Sequence, residues 1–151
     1  MKLIFALVLA FQLGYLESNA QVRTIIGKVL NESFDPVPQA VVWDSNSLVL
    51  GETNLDGTFK IDIPAGTKHF VIGAVAMERK DIYLHDSCNY LEIILLNAGT
   101  YDFMSPRKVD RMRLKYFKTL PRLQLKAYEK GFFLNPKPCY DEKFISEKQK
   151  T

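Results

Sequence analysis

Apolar and polar side chains alternate most cleanly at 59–63, where Phe59, Ile61 and Ile63 are separated by Lys60 and Asp62. A period of two turns the apolar set to one face of a strand and the polar set to the other. Just ahead stands Asp56-Gly57, the pair a tight turn favours, because Gly takes positive φ without steric cost and Asp bonds its own backbone. Pro64 has no N–H to give and ends the strand. With residues 48–53 feeding the turn, 52–64 reads as a hairpin.

Strands are expected on both sides of it. Val22, Thr24, Ile25, Ile26 and Val29 favour extended structure over 22–30, and Gly27 within them marks a bulge or a close backbone approach. Two prolines with Asn, Ser and Asp make 31–38 a loop, and 40–43 is a second short strand. The unbroken apolar run 70–76 suits a strand at the centre of a sheet. Residues 80–84 alternate again, with Ile82 and Leu84 inward, and 90–96 is the last strand. Nothing before Ala98 is long enough for a crossover helix, so seven short strands predict an all-β sandwich rather than a βαβ fold.

The pattern then changes period. Ser105 suits a helix N-cap, Pro106 the first helical position, and Val109, Met112, Tyr116 and Leu120 follow at helical spacing. Pro121 starts a second helix bearing Leu123, Ala127 and Tyr128, which Gly131 stops. Beyond it, Asn135-Pro136-Lys137-Pro138-Cys139 is extended and the last residues are expected to be disordered. Charge divides at the same place. Residues 21–96 carry six cations against ten acids, and 97–151 carry thirteen against six. Arg107, Lys108, Arg111, Arg113, Lys115 and Lys118 make the first helix a basic amphipathic one and are the candidate partner-binding residues.

The first twenty residues have the form of a secretory signal: Lys2, an apolar run over 3–16, and Ser18-Asn19-Ala20 before the expected mature start at Gln21. No later run is apolar and long enough to span a bilayer. The expected organisation is a signal peptide over 1–20, a β body over 21–97, a basic helical extension over 98–134, and an extended or disordered tail over 135–151. Export permits disulfides, so Cys88 and Cys139 either bridge body to tail or remain two thiols.

Ile26-Gly27-Lys28-Val29, then 36–42 from Pro36 to Val42, then 53–59 around Asp56-Gly57, and Ile63-Pro64-Ala65-Gly66 together resemble the carboxypeptidase regulatory-like domain. The resemblance covers 23–96, about half of the chain. It implies a transthyretin-like, Greek-key β-sandwich of seven strands acting as an accessory module. Relatives stand beside enzymes and at the front of TonB-dependent transporters, which implies the periplasm or outer-membrane periphery of a Gram-negative bacterium. The chain departs from the family at Gln39, where Gly is usual, and at Ala76-Met77, where a Gly-aromatic pair is usual.

Three constellations bear on chemistry. Asn54, Asp56 and Asp62 alternate as calcium ligands do, but lack a closing bidentate Glu and are read as turn and strand polar groups. His69, His85 and Arg79 would have to converge for a small transthyretin-like hydrolase. Trp43, Tyr83 and Tyr90 would have to share a platform for a glycan-binding module. The expectation is a non-catalytic exported interaction module with no cofactor and no metal. Its partner is an envelope protein or an anionic membrane surface, not nucleic acid.

Overall fold

The computed structural model describes residues 21–146, so the expected signal peptide over 1–20 lies outside the described residues. β1 (Val22–Asn31) pairs antiparallel with β4 (Thr58–Pro64) and parallel with β7 (Tyr90–Leu95), forming a three-stranded sheet ordered β4-β1-β7. The second sheet is antiparallel and five-stranded, ordered β3-β2-β5-β6-β8. Its strands are β2 (Val41–Trp43), β3 (Val49–Glu52), β5 (His69–Gly73), β6 (Lys80–Leu84) and β8 (Tyr140–Glu142). Helices α1 (Pro106–Phe117) and α2 (Leu120–Glu129) lie between β7 and β8 in the chain. The strand count is therefore eight among the described residues, one more than expected, because the tail supplies β8.

Period-two alternation delivers the core. Phe59, Ile61 and Ile63 from β4, with Leu91, Ile93 and Leu95 from β7, meet Phe70, Ile72, Ile82 and Tyr140 from the other sheet in one buried cluster. β5 is central in its sheet, as its apolarity predicted. It ends at Gly73, short of the expected 76, because the chain turns there: the Met77 N–H donates to the Ala74 carbonyl and Val75 is exposed.

The expected hairpin over 52–64 is corrected. Its turn forms, with Asn54 Oδ1 accepting the N–H groups of Asp56 and Thr58 at 3.1 and 3.0 Å. Yet β3 and β4 belong to different sheets, so the turn carries the chain from one to the other. The Gly57 carbonyl instead accepts the Val29 N–H, and Gly57 at φ 70° leaves no room: an added Cβ would lie 2.5 Å from the Val29 oxygen. Local turn chemistry sets the reversal, while the strands' partners are chosen by burial and pairing elsewhere.

Two of the positive-φ residues are Gln39 and Ala76. Gln39 has φ 55° and Ala76 has φ 61°, the left-handed region where a Cβ costs about 1 kcal/mol. Gln39→Gly and Ala76→Gly are each expected to raise the urea midpoint, by about 1 kcal/mol at most since Gly also loosens the unfolded chain. A fall in midpoint for both would contradict the strain.

The basic extension packs against the body. The outward face of the three-stranded sheet presents Leu30, Ile94 and Leu96, and Leu120, Ala127 and Phe133 bury them in a second apolar cluster. Gly131, at φ 75°, ends α2: its N–H donates to the Tyr128 carbonyl and the Phe132 N–H to the Ala127 carbonyl. Beyond the turn the chain is pinned by Glu92, a buried carboxylate in the middle of β7. It accepts the N–H groups of Leu134 and Asn135 and the Asn135 side-chain amide, the latter two at 3.0 Å. Cys139 is bonded to Cys88, and Tyr140 then enters the main core, donating its hydroxyl to the Glu92 carbonyl at 3.2 Å.

Burial pushes the Tyr140 phenol well above its usual range, with the Glu142 and Glu92 charges adding to it. Below about pH 10 the phenol is neutral in both states; above it the unfolded chain ionises first, so stability falls. Urea midpoints between about pH 9 and pH 11 are expected to fall less for Tyr140→Phe than for the parent protein. Equal slopes would refute this. Lys80 acts oppositely: burial lowers its pKa against the pull of Glu142, to which it is paired at 2.6 Å.

Candidate functional site

At 100° per residue, Val109 and Arg113 lie on one side of α1, and both are buried. Arg107, Lys108, Arg111, Lys115 and Lys118 fall within an arc of about 100° on the opposite side, and all are exposed. None of the five is in an ion pair among the described residues. The basic character of the extension is thus gathered on one outward stripe.

Arg113, expected on that stripe, is corrected. It stands four residues after Val109 and four before Phe117, so helical spacing turns it inward. Its Nε and Nη2 donate to the Glu78 carboxylate at 3.0 and 2.9 Å, and Nη1 donates to the Ile145 carbonyl at 3.0 Å. Phe144 lies against the guanidinium at 5.3 Å and packs edge-on with Phe117. The residue therefore joins three pieces of the chain: α1, the segment before β6, and the segment after β8. Arg113→Ala is expected to cost about 1.5–3 kcal/mol, the range for hydrogen bonds to charged groups, read as a lowered urea midpoint. A loss within about 0.5 kcal/mol, as at ordinary surface sites, would show the pair to be idle.

Beside Arg113 is a cleft of about 660 Å³. Val71, Met77, Tyr101, Tyr116, Phe117 and Phe144 are among the residues that line it. Burial and the nearby Glu78 charge raise the Tyr101 pKa. Sequence reasoning found neither this cleft nor Glu92. The signal for the latter was the continuous apolarity around it, since a strand apolar on both faces is covered on both.

The remaining candidates separate. His69 bonds Asp81 at 2.8 Å and stacks near Tyr83, and His85 bonds Asp141 at 3.1 Å. Arg79 instead packs beside Gly73, whose backbone is four residues or about 13 Å along β5 from that of His69, and lies over Trp43. The hydrolase trio is not brought together. Trp43 and Tyr83 stand on the five-stranded sheet and Tyr90 on the three-stranded one, so these aromatics form no common platform. Asn54 Oδ1 is taken up by its turn and Asp62 accepts the Thr24 hydroxyl at 2.6 Å. No group of three or more His, Cys, Asp and Glu residues placed to hold a metal occurs among the described residues. No helix among them is long and apolar enough to cross a membrane.

No family model, no curated protein and no solved structure matches this chain.

Proposed function

We propose that this chain is an exported, non-catalytic interaction module of the bacterial cell envelope, and that the outward cationic stripe of α1 binds an acidic surface on an envelope protein. The observation that carries the reading is the division of labour on α1. Arg113 is committed inward, while Arg107, Lys108, Arg111, Lys115 and Lys118 stand exposed in one arc. A stripe of one sign steers an oppositely charged partner and fixes its register.

For the body we propose the carboxypeptidase regulatory-like, transthyretin-like sandwich of seven strands, to which the tail adds its own. Two facing sheets with a shared core support this, as do the positive φ angles of Gln39 and Ala76 where that family usually has Gly.

The test is crosslinking from the native envelope with mass spectrometric identification, comparing the parent with R107E/K108E/R111E. The parent should capture defined acidic proteins, less at high salt, and the variant should lose them with an unchanged melting temperature. Equal capture by the variant would refute the assignment. Retention only on phosphatidylglycerol vesicles, with no protein captured, would move it to a membrane surface.

A further inference from the structure

The cleft beside Arg113 combines an apolar interior with charges that are mostly already spent. Arg113 is ion-paired with Glu78 and Lys80 with Glu142, and Asp81 is hydrogen-bonded to His69. Two lining cations are in no ion pair among the described residues: Arg79 and Lys143. Both are exposed, and each is laid over an aromatic ring, Arg79 over Trp43 at 4.9 Å and Lys143 over Tyr83 at 4.6 Å.

Both line the cleft. Ile82 pairs with Glu142, which places Lys143 beside Asp81, and Arg79 stands just ahead of β6, two residues before Asp81. The Asp81 carboxylate is bonded to His69 Nε2 at 2.8 Å. An aromatic ring holds a cation's position without neutralising it, so both remain available to an anion. The cleft volume of about 660 Å³ suits one small molecule, since ligand pockets run about 300–1,000 Å³.

We infer that this cleft binds a small amphiphilic anion, its carboxylate or phosphate head between Arg79 and Lys143 and its apolar body against Tyr101, Tyr116, Phe117 and Phe144. The site is separate from the outward stripe of α1 and goes beyond the role proposed for it. Charge complementarity selects the head, and burial of apolar surface holds the body. Neither part suffices alone: the cations are wet, and the walls carry fixed polar groups that a wholly apolar molecule would leave unsolvated.

Octanoate, 1-octanol and acetate separate the two contributions. Binding is read by calorimetry and by emission of Trp43, the single tryptophan of the chain, whose ring faces Arg79. Octanoate should bind saturably and change the emission, while 1-octanol and acetate should bind about tenfold or more weakly, the discrimination expected of one charged contact. R79Q/K143Q should weaken octanoate about tenfold by calorimetry, and R107Q/K108Q/R111Q should leave it unchanged. Equal binding of 1-octanol, unaltered affinity in R79Q/K143Q, or no octanoate binding at millimolar concentration would each overturn the inference. Loss in the α1 variant alone would also overturn it, by moving the anion to that stripe.

Discussion

A chain ending at Asn97 is expected not to fold, although the β body up to that point contains seven of the eight described strands. Truncation uncovers Leu30, Ile94 and Leu96 by removing Leu120, Ala127 and Phe133. Exposing each of the three large side chains costs about 1.5–3 kcal/mol. It also takes Tyr140 out of the main core, a loss of about 3–5 kcal/mol by analogy with large-to-small aromatic substitutions, and leaves Glu92 without the N–H groups it accepts. These sums approach the whole stability of a domain this size, about 5–15 kcal/mol. The check compares residues 21–97 with 21–146 by near-ultraviolet circular dichroism and urea titration. A cooperative transition in the short chain would establish the body as self-sufficient. The practical consequence is that partner binding has to be mapped by point substitution on α1 rather than by deletion.

Replacing Cys88 and Cys139 by Ser is expected to cost about 4 kcal/mol, because their bond spans 51 residues and loop closure of that length restricts the unfolded chain by about this amount. The effect should be uneven. β8 starts at Tyr140, directly after Cys139, and is an edge strand of three residues. Without the bond, β8 depends on Tyr140 burial, the Lys80–Glu142 pair and the Arg113 contact to Ile145. Amide exchange at 140–142 and along the facing edge of β6 should accelerate more than in β1. A midpoint lowered by less than about 1 kcal/mol would show that those contacts alone hold the tail, with the unfolded chain already compact.

What was legible beforehand follows from which forces are local. The alternation of Phe59, Ile61 and Ile63 with Lys60 and Asp62 gave the buried face of β4 residue for residue, since side-chain direction in a strand depends on backbone geometry alone. Ser105, Pro106 and Gly131 marked the helical stretch, because end positions demand particular backbone angles. Partner strands were not legible in the same way. Asp56-Gly57 signalled a reversal, and nothing in a turn says whether the strands it joins will pair with each other.

The candidate site divides along the same line. Spacing places the exposed cations on one arc of α1, and the same spacing puts Arg113 on the inward stripe with Val109 and Phe117. Its carboxylate partner, Glu78, lies 35 residues away and had no signature. Glu92 is a polar residue within an apolar strand, and it anchors the chain after α2.

The amino-acid sequence by itself therefore determined the periods up to residue 134: where the first seven strands and the helical stretch lie, which face of each is apolar, and where the basic charge accumulates. Tertiary structure alone decided the partners: β1 beside both β4 and β7, β8 on β6, and Arg113 on Glu78. Periodicity is set within a few residues by backbone geometry, whereas a partner is selected among distant segments by the burial and charge neutralisation that only the assembled chain provides.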